Sequence, residues 1–167
     1  MKKKVAVIGS RGAIGNAVVD TLLADESVEA VFKFSRAENT EHEDKVKHIF
    51  IDIEDEESIK QATESLPEDT KFDLIFVATG ILHDEKNVFP EKSIKDISFD
   101  KLIKVLTINT IGPTLVGKYF IPYLRKDSKS TFAFLSARVG SISDNKLGGW
   151  YSYRASKTAL NQIIRNF

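Results

Sequence analysis

A chain of 167 residues, 42% of them hydrophobic, is long enough for one domain with a substantial core and too short for two ordinary ones. Basic and acidic residues balance at 24 each, which excludes the one-signed field that gathers nucleic acid or an acidic membrane, and the absence of cysteine excludes disulfides, thiol catalysis and zinc-thiolate centres. The basic head of MKKKVAVIGS precedes an apolar run, Val5 to Ile8, too short for a signal-peptide core or a membrane span, so the chain reads as cytoplasmic with no membrane partner.

The first predicted strand, KVAVIG at 4–9, runs into GSRGAIG, with Gly9, Gly12 and Gly15 three apart. That spacing lets the chain turn sharply, lets a pyrophosphate approach the backbone, and lets the next helix pack close with its N-terminus aimed at the anion. Because the loop follows a predicted strand and opens a predicted helix, Gly9, Ser10, Arg11, Gly12, Ile14 and Gly15 are read as a dinucleotide-binding turn. The helix, AIGNAVVDTLLAD at 13–25, places Ile14, Val18, Val19 and Leu22 on one side.

AVFKFS at 30–35 is the second strand. It ends about 20 residues past Gly15, where an NAD site places an acid for the ribose hydroxyls. Ser35 and Arg36 stand there instead, and with Arg11 they offer two guanidinium groups to a 2′-phosphate, which favours NADP(H) over NAD(H).

VKHIFIDI at 46–53 is the third strand, and DEESIKQATESL at 55–66 a helix that opens with acids and stops before Pro67. FDLIFVAT at 72–79 is the fourth strand. The stretch 80–98 is too polar and irregular to assign. Residues 99–126 keep a helical apolar period broken at Gly112 and Pro113, giving two helices or one kinked helix. TFAFLS at 131–136 is the fifth strand, RVGSISDNKLGGW at 138–150 a loop, and 151–167 a helix with Leu160, Ile163, Ile164 and Phe167 at helical spacing. That last helix also carries Tyr153 and Lys157, one turn apart; by itself such a pair is an ordinary surface feature.

Strands alternating with helices predict an α/β fold: a doubly wound parallel sheet, Rossmann-like, in three αβα layers, with ligands at the carboxyl ends of the strands. No residue cluster predicts a metal site.

With the glycine loop at one end and Tyr153-x-x-x-Lys157 at the other, the sequence resembles the short-chain dehydrogenase/reductase family along essentially its whole length. It is most similar to the carbonyl-reductase-like branch, which includes the C-factor cell-contact signalling protein. The resemblance implies that Tyr153 and Lys157 form the catalytic pair and also touch the cofactor. It further implies that Asn109, in INTIGP, holds a proton-relay water, that Asp52 and Ile53 contact the adenine, and that Ala78, Thr79 and Gly80 back the cofactor ribose, with Thr79 in place of the usual alanine. One departure concerns the serine that polarises the substrate carbonyl: in Ser136-Ala137-Arg138-Val139-Gly140, Ala137 occupies its place, leaving Ser136 or Ser141 to serve.

The implied reaction is hydride transfer between a nicotinamide and a carbonyl or alcohol carbon, with Tyr153 exchanging the oxygen's proton. A lysine ammonium roughly 5 Å away, at an effective dielectric of about 20, is expected to favour the phenolate by ~3 kcal/mol, on the order of two pKa units. Tyr151 is read as packing or substrate wall. Three functions stay open: an NADP(H)-dependent carbonyl reductase or alcohol dehydrogenase, a nucleotide-binding sensor or signalling protein on the same fold, and a helix-mediated dimer module without cofactor. Family members continue beyond this helix, so residues 1–167 are read as one dinucleotide-binding domain, C-terminally truncated relative to the family, pairing into a homodimer or homotetramer through 112–126 and 152–167.

Overall fold

Lys3–Ile8 (β1), Val28–Ser35 (β2), Val46–Phe50 (β3), Leu74–Val77 (β4) and Thr131–Phe134 (β5) form one parallel sheet in the order β3-β2-β1-β4-β5. The computed structural model describes residues 2–37, 44–84 and 88–167. Five α-helices are present among them: Ala13–Ala24 (α1), Glu56–Glu64 (α2), Phe99–Leu106 (α3), Gly112–Phe120 (α4) and Tyr151–Ile164 (α5). The strand order reverses on either side of β1, and the crevice at the carboxyl ends of β1 and β4 is where a doubly wound sheet takes its ligand.

The three layers follow from strand alternation. Val5 and Val7 of β1 and Val31 of β2 join Val19 of α1 on one face; Ala6 and Ile8, with Phe32 and Phe34 of β2, pack on the other against Ile59 of α2 and Val116 and Phe120 of α4. Two edge-to-face ring pairs stand at 5.1 Å: Phe34 with Phe120 ties β2 to α4, and Phe32 with Phe72 ties β2 to the residues that enter β4; each contributes about 0.5–1.5 kcal/mol beyond burial. Below the sheet, Arg125 Nε donates to Asp73 at 2.8 Å, and the same carboxylate accepts from the Lys4 backbone N–H at 2.9 Å, joining the start of β4 to β1 and to the chain after α4.

Several sequence expectations are adjusted: the fifth strand ends at Phe134 rather than 136 and the last helix at Ile164 rather than 167. Ile14, expected on the same side of α1 as Val19, is half exposed at 51%, because α1 buries Val19 against the sheet and turns Ile14 toward the crevice. The third strand stops at Phe50 because Asp52 starts a turn, its carboxylate accepting from the Glu54 N–H at 3.0 Å while its own N–H donates to Ser58 Oγ at 2.9 Å. The fourth strand ends at Val77 rather than 79. The break in the long helical stretch falls before Gly112: Thr107–Ile111 widen into a π-helical turn, and Gly112 and Pro113 open α4, where a missing N–H is tolerated.

Candidate nucleotide and proton-transfer site

Gly9 ends β1 with φ +82°, a left-handed conformation that favours glycine, and a Cβ there would stand 2.9 Å from Thr79 Cγ2. A Cβ on Gly15 would collide with the Gly9 carbonyl oxygen, so this glycine is required for α1 to sit against the turn. Gly12 differs: it caps α1, and its nearest neighbour to an added Cβ is the Gly9 oxygen at 3.5 Å, ordinary contact. No side chain caps α1 and no acid lies in its first turn, so its positive end and free N–H groups face the crevice.

Two hollows meet at this point. One, of about 330 Å³, is lined by residues including Gly9, Arg11, Gly12, Ser35, Arg36 and Ile53. The other, of about 300 Å³, includes Ile14, Leu135, Ser136, Tyr153 and Lys157. Gly12, Ala78, Thr79, Gly80 and Ile81 line both, so they form one groove across the ends of the strands. Among the described residues, Thr79 Oγ1 in the shared wall is a buried side-chain oxygen with no hydrogen-bond partner. The glycine cradle, the uncapped helix end and this orphan hydroxyl fit an elongated ligand with a phosphate at its middle.

At the proton-transfer end, Lys157 is 2% exposed and donates to the Leu135 carbonyl at 2.9 Å, and its Nζ lies 5.9 Å from the Tyr153 ring centre. Burial pushes the Lys157 ammonium down to about 8 and the Tyr153 phenol above its ordinary value. This reverses the expected direction for Tyr153: withdrawal from water disfavours the phenolate, and the lysine's hydrogen bond is spent on a backbone oxygen. A Cβ on Gly80 would lie 3.2 Å from Lys157 Nζ and 3.4 Å from Asn109 Oδ1, so Gly80 makes room for both.

Asn109 sits fully buried in the π-helical turn. Its Oδ1 accepts from the Ile81 N–H at 2.7 Å, and its Nδ2 donates to the Ile81 carbonyl at 2.8 Å and to Ser156 Oγ at 3.0 Å. Both amide protons are used, so the side chain clamps the loop after β4 to α5, leaving any water contact to the turn's backbone.

Other expected residues are placed differently. The Ser10 hydroxyl is buried and donates to the Phe34 carbonyl, bracing the turn from beneath. Asp52 spends its carboxylate on its own turn, while neighbouring Ile51, Ile53 and Glu54 line the cleft. Ser136 lines the groove, but its hydroxyl donates to Asn161 Oδ1 at 2.6 Å; Ser141 pairs with Ser143 Oγ and the Asp144 N–H within its loop. Ala137 provides no hydroxyl.

Glu54 was missed by sequence reasoning. It faces the cleft, 2.6 Å from Lys104 Nζ and 3.8 Å from the Arg36 guanidinium, so a carboxylate already stands beside one of the proposed phosphate-binding cations. Its only sequence signal was its position two residues past Asp52.

A parallel sheet with a glycine turn after its first strand and a tyrosine–lysine pair in the same groove defines a doubly wound, Rossmann-like α/β class of protein. The chain belongs to the short-chain dehydrogenase family, whose model matches residues 3–167. It is 30% identical over 118 residues to 1-hydroxy-2-glutathionyl-2-methyl-3-butene dehydrogenase of Rhodococcus sp. (strain AD45), covering 70% of this chain and 48% of that one. It is 35% identical over 74 residues to C-signal of Myxococcus xanthus, covering 44% of this chain and 45% of that one. The NADPH-bound carbonyl reductase from chicken fatty liver superposes with a TM-score of 0.82 at 27% identity, over 99% of this chain and 72% of that chain. The chain thus spans about half the length of the curated relatives it matches. Among the described residues, no helix is long and apolar enough to cross a membrane.

Proposed function

We propose that the protein is an NADP(H)-dependent oxidoreductase acting on a carbonyl or alcohol, with Tyr153 as general acid/base. The observation that carries this reading is the shared groove: Tyr153 and Lys157 line the same hollow as Gly12 and Thr79, continuous with the cleft that holds Arg11 and Arg36. The relationship to an NADPH-bound carbonyl reductase supports the cofactor and the substrate class.

In this reading Gly9, Gly12 and the first turn of α1 hold the pyrophosphate, Arg11 and Arg36 the 2′-phosphate, and Ala78, Thr79 and Gly80 the central wall. The bound nicotinamide supplies hydride exchange with the substrate carbon. Tyr153 holds a proton at Oη, and its raised pKa keeps that proton in place at neutral pH, which suits donation to a carbonyl oxygen. Lys157, still largely an ammonium at pH 7, supplies the positive charge that stabilises the tyrosinate left behind. Asn109 fixes the loop that faces them. A homodimer or homotetramer through 112–126 and 152–167, and a cytoplasmic location, complete the proposal.

A second reading, a nucleotide-binding sensor with little turnover, is favoured by one observation: the Ser136 hydroxyl is engaged by Asn161 and Ala137 cannot replace it. Losing a preorganised oxyanion donor costs ~10²–10³ in rate.

The test is NADPH oxidation with a panel of aldehydes and ketones, by wild type, Tyr153→Phe and Arg36→Ala. Turnover that Tyr153→Phe abolishes, with Arg36→Ala losing its preference for NADPH over NADH, supports the oxidoreductase. Tight NADPH binding with no Tyr153-dependent turnover supports the sensor.

A further inference from the structure

Glu91 lies in the stretch between β4 and α3 that carries no readable sequence pattern, yet it is 3% exposed, a rare state for a carboxylate. Among the described residues, its hydrogen-bond partners lie at the start of α5. The Glu91 backbone carbonyl accepts from the Trp150 N–H at 2.6 Å; its carboxylate accepts from the Ser152 N–H at 3.3 Å and from the Ser152 hydroxyl. Trp150, at the N-cap of α5, has no capping side chain of its own, so Glu91 provides from a distant loop the acceptor that a local serine or aspartate normally provides.

The segment it grips is an unusual one. Gly148, Gly149 and Trp150 follow one another with φ of +65°, +66° and +52°, and Trp150 is a bulky residue in a conformation that disfavours side chains. An added Cβ at Gly149 would stand 3.2 Å from the Glu91 carbonyl oxygen, so the loop passes directly against this residue. The left-handed turn brings the Trp150 ring edge-on to Tyr153, with centroids 6.3 Å apart and planes at 78°. Glu91 therefore holds the residues on either side of Tyr151, and the next residue along is Tyr153.

We infer that Glu91 is a positioning residue: through its paired grip on Trp150 and Ser152 it fixes the first turn of α5, and with it the direction of the Tyr153 hydroxyl, from the loop that follows β4. Lys157, one turn further on, is anchored independently by the Leu135 carbonyl, so Glu91 governs the tyrosine more than the lysine. The inference rests on the proposed role of Tyr153 for its kinetic consequence but not for its structural one.

Trp150 is the chain's single tryptophan, so fluorescence excited at the red edge of absorption, where the four tyrosines do not absorb, reports on the surroundings of this one residue. The experiment compares wild type, Glu91→Gln, Glu91→Ala and Ser152→Ala in the full chain. Readouts are Trp150 emission and acrylamide quenching, NADPH affinity, and kcat and KM for a carbonyl that the wild type reduces. Expected are a red-shifted, more quenchable Trp150 in Glu91→Ala, a kcat lowered by a factor of about 10 to 100, and NADPH affinity within about twofold, because the glycine turn and its arginines are untouched. Glu91→Gln, whose amide oxygen still accepts from the Ser152 N–H, recovers most of the kcat, and Ser152→Ala falls between them.

Unchanged Trp150 emission and quenching in folded Glu91→Ala overturns the grip itself. Altered emission with unchanged kcat overturns the positioning role. If wild type binds no NADPH and reduces no carbonyl, the functional proposal fails, while the fluorescence comparison still decides whether Glu91 holds the turn.

Discussion

Lys157 donates to the Leu135 carbonyl at 2.9 Å, so the ammonium beside Tyr153 is held by the residue that follows β5 and, among the described residues, not by an acid. Burying that charge opposes folding. With its pKa lowered from 10.5 to about 8, the folded chain releases this proton at a pH where the unfolded chain keeps it. The cost is full below pH 8, and stability gained from its relief accrues as pH rises from about 8 to 10.5. Lys157→Met therefore stabilises the fold at pH 7, by on the order of 2 kcal/mol after allowing for the lost hydrogen bond to Leu135, and the gain shrinks toward pH 10.5. Urea denaturation of both proteins at several pH values measures it. The same variant loses turnover.

The pH profile of carbonyl reduction follows from the same pair. Burial keeps the Tyr153 phenol protonated through neutral pH, so the rate holds there and falls as Lys157 loses its charge near pH 8. Alcohol oxidation, which needs the phenolate together with the Lys157 ammonium that stabilises it, rises with pH up to about 8 and levels off above it. Tyr153→Phe lowers both directions by ~10²–10⁴, the usual contribution of general acid/base catalysis, and leaves NADPH affinity within about twofold. Steady-state rates of both directions from pH 6 to pH 10 test the two profiles.

The three loop glycines separate into structural and binding roles. At Gly15 an added methyl meets the Gly9 carbonyl, so Gly15→Ala destabilises by about 2 kcal/mol or more. At Gly12 it meets nothing closer than 3.5 Å, so Gly12→Ala keeps its Tm but fills the space a pyrophosphate needs, weakening NADPH at least tenfold. Thermal melts with and without NADPH distinguish the two: Gly15→Ala lowers both curves, whereas Gly12→Ala lowers only the ligand-induced rise.

Asp73 and Arg125 are 14% and 13% exposed and make a two-pronged pair, with the Arg125 pKa raised chiefly by the hydrogen bond to Asp73. Arg125→Ala leaves a largely shielded carboxylate that, among the described residues, keeps the Lys4 N–H as its hydrogen-bond donor, which costs about 2 kcal/mol. Because the pair lies at the opposite end of β4 from the groove, NADPH affinity in the folded fraction is unchanged. Urea midpoints and a binding isotherm below the transition check both halves.

The sequence was legible where function rests on local pattern. The glycine turn, the five strands, the capping acids of α2 and the Tyr153/Lys157 spacing are all short-range signals, and each falls at or near its expected place. What could not be read depends on distant partners. Asn109 was recognisable, but not that Ile81 and Ser156 take up its amide protons; nor could Glu91, in a segment without periodicity, be linked to Ser152, 61 positions later. The pKa direction at Tyr153 was misjudged for the same reason, since a charge four residues away is visible in a sequence and desolvation is not. Residues 85–87, inside the unassigned stretch 80–98, lie outside the described residues.

The most direct test of the account is a titration of the purified chain with NADPH and with NADH, followed by calorimetry. Saturable binding of one NADPH per chain, tighter than NADH and weakened by Gly12→Ala, is the predicted result. If neither dinucleotide saturates the protein at millimolar concentration, the groove across the strand ends is not a cofactor site, and the role assigned to Tyr153 goes with it.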